Sequence, residues 1–405
     1  MERIKVLHII THLGVGGGLD NTLLTVKGLS RDRYEVHLAA GELESGEHYS
    51  DWSARAKAYS DELFHFPDLR RPIDFRRDFS VLREMTNFIK TQNYDIVHTH
   101  YAKAGLIGRI AAKRAGVPII IHTYHTFSWK VAHAFHSSVL RNYLSSAKEK
   151  LYVAIERYAA SLCDALITVC ELNRQEAITR KIAPSEKFVK IYSGIDLGRF
   201  QIHTNKGRRL CRKFGLNPKF PVIGNVGRLS TQKSPLDFVK AAKIVLQHRP
   251  NAQFLMVGDG PLDSLTQDAI GSEDKIKVVG FQDNVPEILA HLDIFALSSL
   301  WEGLGRALTE AMIMSLPVAV TSVGGVPELI IHKETGLLSP PGDPAGLADN
   351  IIWMLDHPRE AQIMGRKARQ KVLSDFSADT MIEQIENLYE NSLDRKGLQT
   401  SLAYA

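Results

Sequence analysis

From end to end, short apolar runs alternate with longer segments in which apolar residues recur every three to four positions. Runs of this length bounded by loops read as buried strands, and the longer period reads as amphipathic helix. In the first half the pattern predicts strands over residues 5–10, 35–39, 96–99, 118–123, 165–169 and 189–192. Helices fall between them, among them 103–115 and a long one from about 137 to 161. A second set of strands follows at 222–227, 253–257, 277–279, 294–297 and 318–321. After Pro358 helical periodicity continues nearly to Leu393, with a break at Phe376-Ser377, and residues 396–405 read as a frayed end. Strand–helix alternation of this kind builds parallel sheets with crossover helices. The expected fold class is α/β, with two doubly wound Rossmann-like domains facing each other across a cleft. Such sheets place ligands at the carboxyl ends of their strands. The Gly-rich stretch Ser193-Gly-Ile-Asp-Leu-Gly-Arg-Phe-Gln201 reads as the hinge. Domains are therefore expected at 1–200 and 201–375, with a last helix at 376–395 free to pack back on the first.

Composition narrows the class. With 405 residues, 44% hydrophobic and 23% charged, the chain is long enough for two to three globular cores. Its apolar start is too brief for a signal sequence, and no apolar run approaches the ~18 residues that a membrane-spanning helix needs. The three cysteines, Cys163, Cys170 and Cys211, have no Cys-x-x-Cys spacing, so neither a zinc site nor a disulfide framework is expected. A cytoplasmic setting follows. Residues 1–200 carry 28 Lys+Arg against 22 Asp+Glu, more than the whole net charge of +5. That excess suits an anionic acceptor or peripheral contact with the inner face of a membrane. Candidates for the contact are Arg70, Arg71, Arg76 and Arg77 with Phe75 and Phe79, and the stretch 127–151. No nucleic-acid-reading module accompanies the charge.

The most informative segment is Trp301-Glu-Gly-Leu-Gly-Arg-Ala-Leu-Thr-Glu-Ala311. It follows a strand and opens a helix, so the bare N–H groups of Gly303, Leu304 and Gly305 should gather at a helix N-terminus, where anions bind. Glu302 and Glu310 would repel a phosphate and should instead accept hydrogen bonds from hydroxyls on either side of it. Eight residues of helix would separate them by ~12 Å. The pattern reads as a nucleotide-sugar clamp. Both glutamates are expected on a surface, where replacing either leaves the fold intact. Arg228 and Lys233, after the strand 222–227, suit a diphosphate; alone they read equally well as a solvated pair before a helix. The run Gly14-Val-Gly-Gly-Gly-Leu-Asp20 allows close backbone approach but lacks Gly-x-Gly-x-x-Gly, which disfavours dinucleotide binding. Histidines crowd the first half at 98, 100, 122, 125, 133 and 136. His98 and His100 are expected on opposite sides of their strand, with no convergent metal set. His125 lies just past a strand end, where a catalytic group belongs. There is no Gly-x-Ser-x-Gly elbow, P-loop lysine or Asp-x-Asp. No metal or cofactor is expected, and Arg228, Lys233 and the helix N-terminus should stabilise the leaving diphosphate.

Together these residues resemble the bacterial retaining glycosyltransferases of family 4, of the two-Rossmann-domain (GT-B) type used in exopolysaccharide and cell-envelope glycan assembly. The resemblance covers nearly the whole chain. It rests on Gly17-Gly-Leu-Asp-Asn-Thr-Leu-Leu24, Asp95 through Gly105, Val117-Pro through Phe127, Ser193-Gly-Ile-Asp196, Val226-Gly-Arg-Leu with Lys233, Val257-Gly-Asp-Gly-Pro261, Gly280-Phe281, the Glu302–Glu310 segment and Gly324-Gly-Val-Pro-Glu328. By resemblance, Glu302 binds the donor sugar, Glu310 the ribose, and Arg228 and Lys233 the diphosphate. Gly303 to Gly305 hold sugar and phosphate, and the backbone near Phe281 holds the base. His125 matches the active-site histidine that contacts the transferred sugar. Gly17 and Gly18 lie toward the phosphates, with His100 and Lys103 on the acceptor side. The implied activity is metal-independent, retaining transfer from a UDP-sugar to a glycan or lipid-linked acceptor. Departures at Leu19-Asp20, Thr126 and Gly305 touch the acceptor pocket and the turn; none removes a charged donor contact. Two rivals stand beside this reading. A catalytically silent sugar-nucleotide-binding protein would not need the full set of Glu302, Glu310, Arg228, Lys233 and His125. A sugar-nucleotide epimerase of the same fold is not expected to carry the glutamate pair.

Overall fold

The computed structural model describes residues 3–14, 16–41, 50–127, 129, 139–200 and 213–398. His133, His136 and Cys211 lie outside them. The chain divides into two compact units, residues 1–194 with 378–405, and residues 195–377.

The first unit is a seven-stranded parallel sheet ordered β3-β2-β1-β4-β5-β6-β7. Its strands are β1 (Ile4–Ile10), β2 (Tyr34–Gly41), β3 (Glu62–Phe66), β4 (Ile96–His100), β5 (Ile119–Tyr124), β6 (Ala165–Thr168) and β7 (Phe188–Lys190). Central strands are buried on both faces, as a parallel sheet between helices requires. One face packs Leu7, Ile9 and Val97 against Met85 and Ile107 of the helices Phe75–Gln92 and Ala102–Ala115. The other packs Val6, Ile10 and Ile96 against Leu23 and Val26 of the helix Gly17–Gly28, and against Met381 and Ile385 of the helix Ala378–Arg395. That last helix buries Met381, Ile385 and Leu393, each contributing ~1.5–3 kcal/mol. A Cβ on Gly28 would lie 1.9 Å from Ile382 Cδ1, so a larger residue there would displace the Ile382 side chain between the two helices. Glu386 also accepts from the Ser30 N–H at 2.8 Å.

The second unit is a six-stranded parallel sheet ordered β10-β9-β8-β11-β12-β13. The strands are β8 (Val222–Val226), β9 (Gln253–Val257), β10 (Ile276–Val278), β11 (Ile294–Leu297), β12 (Val318–Thr321) and β13 (Leu337–Ser339). In both sheets the chain winds outward one way, then returns to the centre and winds the other. The reversal lies between β1 and β4 in one unit, and between β8 and β11 in the other. Ligands of doubly wound sheets bind at such points.

The division between units falls after Gly194, not at residue 200. It lies inside the glycine-rich stretch 193–201 read as the hinge, and there the Ile195 N–H donates to the Phe376 carbonyl at 2.9 Å and Ile195 pairs with Ser377. Those bonds fix residues 195–200 and 376–377 to the second unit. Two strands were not expected. β3 is an edge strand of mixed exposure without a clean alternation, and β13 has only three residues.

Candidate active site

In the second unit the loops after β8 and β11 are fastened together. The Leu300 N–H donates to the Gln232 carbonyl at 2.8 Å, and Gln232 Nε2 to the Trp301 carbonyl at 3.1 Å. Ser298 Oγ lies 2.9 Å from the carbonyls of both Lys233 and Ser234. The loop after β12 props the turn from behind. The Gly325 N–H donates to the Gly303 carbonyl at 2.7 Å, and a Cβ on Gly324, at φ 51°, would lie 2.1 Å from the Glu302 carbonyl oxygen. Gly258 is equally constrained: at φ 132° its Cβ would meet the Gly227 carbonyl oxygen at 2.2 Å. At both glycines the backbone conformation and the space demand the residue type. Phe281 follows Gly280, whose carbonyl accepts from the Gly258 N–H at 2.8 Å, so the segment expected to hold a base is tied to the loop after β9.

The turn itself differs from expectation. Helix begins only at Arg306, capped by Gly305 at φ 93°. Glu302 therefore precedes the helix, and the separation of the two glutamates is not an eight-residue helical rise. Neither glutamate is a surface residue: Glu302 is 4% exposed and Glu310 8%. Buried carboxylates need partners. Glu302 Oε1 accepts from Lys233 Nζ at 2.5 Å and from Ser299 Oγ at 2.6 Å, while the Ser299 carbonyl accepts from Thr321 Oγ1 at 2.6 Å. Glu310 Oε1 accepts from Arg306 Nε at 3.1 Å. Stripping the partner from a buried ion pair typically costs ~3–5 kcal/mol. The ammonium of Lys233 has three donors, so one can hold Glu302 while others face an anion. Arg228, from the same loop, is exposed and makes no ion pair among the described residues.

In the first unit the loops after β1, β4 and β5 bring together Gly16–Gly18, Tyr101 and His125. Gly17 and Gly18 open the helix Gly17–Gly28. Gly18 has a packing reason: its Cβ would lie 2.7 Å from the Tyr101 ring. Tyr101 is the residue that sequence reasoning passed over. Its backbone, at φ 63° and ψ 167°, occupies a region other side chains avoid. Its ring stacks on His12 at 5.6 Å and lies 5.6 Å from His125. Nothing in a tyrosine before a helix marks such a conformation. Lys103 reaches Asp78 Oδ1 at 2.6 Å and the Pro72 carbonyl, which ties its ammonium to the neighbouring helix.

The histidines converge, contrary to expectation. Residues two apart in a strand share a face, so His98 and His100 stack, with ring centroids 4.4 Å apart. The same geometry sets His122 against Tyr124 at 4.5 Å. His8, from β1, joins the first pair, and these three rings each offer a nitrogen within 4.8 Å of the others. Both nitrogens of each are already hydrogen-bonded. His8 Nδ1 is 3.1 Å from His100 Nε2, and His8 Nε2 is 3.4 Å from Tyr389 OH. His98 Nδ1 is 2.7 Å from Tyr389 OH, and its Nε2 2.7 Å from Thr123 Oγ1. His100 Nδ1 is 3.2 Å from Nε2 of His125. His100, expected to face the acceptor, is enclosed behind His125 with 1% exposure. Burial holds these rings neutral: it lowers the pKa of His125 to about 4 and of His8 to about 3, and those of His98 and His100 well below the ordinary range. His125 is half-buried.

Two doubly wound parallel units, each with polar groups gathered at its point of strand reversal, define the GT-B class of glycosyltransferase folds. Residues 15–199 match the family description Glycosyltransferase Family 4, and residues 220–357 match Glycosyl transferases group 1. The UDP-Gal:alpha-D-GlcNAc-diphosphoundecaprenol alpha-1,3-galactosyltransferase of Escherichia coli is 30% identical over 394 residues, spanning 96% of this chain and 97% of that one. The capsular polysaccharide biosynthesis glycosyltransferase CapM of Staphylococcus aureus is 24% identical over 401 residues, 97% of this chain and 98% of its own. The chain belongs to the family 4 glycosyltransferases. Its fold is shared by Anabaena Alr3699/HepE, solved in complex with UDP-glucose, at TM-score 0.79 and 20% identity, covering 96% of this chain and all of that one.

Proposed function

We propose that this chain transfers a sugar, with retention of anomeric configuration and without a metal, from a UDP-sugar to a lipid-linked or growing glycan acceptor. The observation that carries the reading is the site between β8 and β11. There a buried carboxylate, Glu302, pairs with a half-buried ammonium, Lys233, just before a glycine turn at a helix N-terminus, and the same loop after β8 carries an exposed guanidinium, Arg228. Glu302 accepts from sugar hydroxyls, Glu310 accepts from the ribose, and the two cations with the turn's N–H groups carry the charge of the leaving diphosphate. With cations in this role no metal is needed. The backbone near Phe281 takes the base. In the first unit His125 positions a hydroxyl of the transferred sugar, and Gly17 and Gly18 lie toward the phosphates. UDP as the leaving group is supported by the donor in the name of the Escherichia coli relative and by UDP-glucose in the HepE complex. The acceptor class follows the same relative.

The reading includes contact with an anionic membrane at the inner face. No helix among the described residues is long and apolar enough to cross a bilayer. Ile73, Phe75 and Phe79 are instead strongly exposed at the start of the helix Phe75–Gln92, beside exposed Arg76 and Arg77. The second stretch considered, 127–151, falls largely outside the residues whose side chains are described. Salt screens such contacts within a Debye length, so binding to anionic liposomes at low but not high salt is expected. No flotation at low salt removes this part.

A calorimetric panel of UDP, GDP and ADP tests the donor site. UDP should bind wild type and Glu302→Gln alike, and Glu310→Ala markedly more weakly. Equal affinity in Glu310→Ala would refute the ribose assignment.

A further inference from the structure

A continuous file of hydrogen bonds runs through the first unit, from Thr123 to His98, Tyr389, His8, His100 and finally His125. Its two ends lie on and just past β5, and its middle passes through a residue of the C-terminal helix. A neutral imidazole has one donor and one acceptor nitrogen, and a phenol donates one hydrogen. Every internal member must therefore donate to one neighbour and accept from the other, which forces the whole file to point one way.

Two polarities exist. If His125 donates from Nε2, each ring carries its hydrogen on Nε2 and His98 donates to Thr123. The Thr123 hydroxyl hydrogen then needs a further acceptor, and Thr123, 3% exposed, has none among the described residues. A buried donor left unmade costs ~1–3 kcal/mol. In the opposite polarity Thr123 donates to His98 Nε2, His98 Nδ1–H to Tyr389, the phenol to His8 Nε2, His8 Nδ1–H to His100 Nε2, and His100 Nδ1–H to His125 Nε2. Every hydrogen within the file then has an acceptor, and the single one without a partner in the file is the Nδ1–H of half-buried His125, at its open end. That these rings are held neutral by burial is what keeps the file from being broken by a second proton.

We propose that this file fixes the tautomer of His125, placing its hydrogen on Nδ1 so that the nitrogen outside the file is a hydrogen-bond donor. Tyr389, His8, His98 and His100 are positioning residues. In the reaction the Nδ1–H would donate to an oxygen of the transferred sugar, and no proton is removed by His125 there. This last step rests on the proposed function; the tautomer does not.

The test is a two-bond ¹H–¹⁵N correlation spectrum of protein labelled with ¹⁵N-histidine, assigned by single substitutions. We expect His8, His98, His100 and His125 all to carry hydrogen on Nδ1 and none on Nε2 at neutral pH. In Tyr389→Phe, whose lost hydroxyl breaks the file, His125 should become a mixture of tautomers. Turnover should fall on the order of tenfold, with nucleotide affinity unchanged. Hydrogen on Nε2 in any of the four rings of the wild type, or an unaltered His125 in folded Tyr389→Phe, overturns the proposal. Should that variant not fold, the wild-type spectrum decides alone. A protein with the expected tautomers but no transferase activity would spare the file and sink the proposed function; active protein with the other tautomer would do the reverse.

Discussion

The residues that matter most here are held by partners of opposite chemistry. Glu302 is buried against Lys233 and Ser299, so it is preset as an acceptor, and the ammonium has further donors for the diphosphate of the proposed donor. His125 stands differently: half-buried, neutral, and bonded through only one nitrogen within the described residues. Its loss should therefore appear in turnover more than in nucleotide affinity. We expect His125→Ala to bind UDP nearly as wild type does and to transfer sugar at least about tenfold more slowly, ~1.4 kcal/mol of transition-state stabilisation. Calorimetry and initial rates on one preparation check it; full activity in a folded variant would return His125 to a structural role. The residue types of the proposed donor site were visible in the sequence because carboxylates flanking a glycine turn are a local pattern. The burial of those carboxylates was not: Ser299 and Arg306 are local partners, but Lys233 and the loop after β12 come from elsewhere in the sequence. The histidine cluster was missed for a simpler reason. His98 and His100 share a face, and His8 and Tyr389 join them only through the fold.

At the scale of elements, periodicity located most strands, and the helices 102–115 and 139–161, to within a few residues. It failed at the edges, where β3 is of mixed exposure without a clean alternation and β13 has only three residues to carry a pattern. The reach of the last helix was open in the sequence. What fixes it is Gly28 beneath Ile382 and Tyr389 among the histidines. The loop after β12 shows how an element serves a site without touching a ligand. Gly324→Ala would force a Cβ into the Glu302 carbonyl and strain a positive φ. We expect it to lower both the melting temperature and UDP affinity, because the turn carrying Glu302 must shift. Wild-type affinity in Gly324→Ala would show that the loop does not hold the turn.

The whole molecule carries buried histidines whose burial has a consequence for stability. Unfolded, each titrates near 6.5. Folded, His125 is lowered to about 4 and His8 to about 3. Between those values and 6.5 the unfolded chain binds protons that the native one does not, so stability must fall as pH drops. The loss begins near pH 6.5 and continues to about pH 3. Urea denaturation at a series of pH values should show this slope, reduced in His8→Asn relative to wild type; an unchanged slope would mean His8 titrates normally when folded. The central claim is the transfer reaction itself. Purified protein, EDTA, a UDP-sugar panel and a polyprenyl-diphosphate-linked sugar can be followed by NMR for release of UDP and for the anomeric configuration of the product. A new glycosidic bond with the donor's own configuration, formed with the chelator present, is expected. An inverted product, or transfer abolished by EDTA and restored by Mg²⁺ or Mn²⁺, would contradict it.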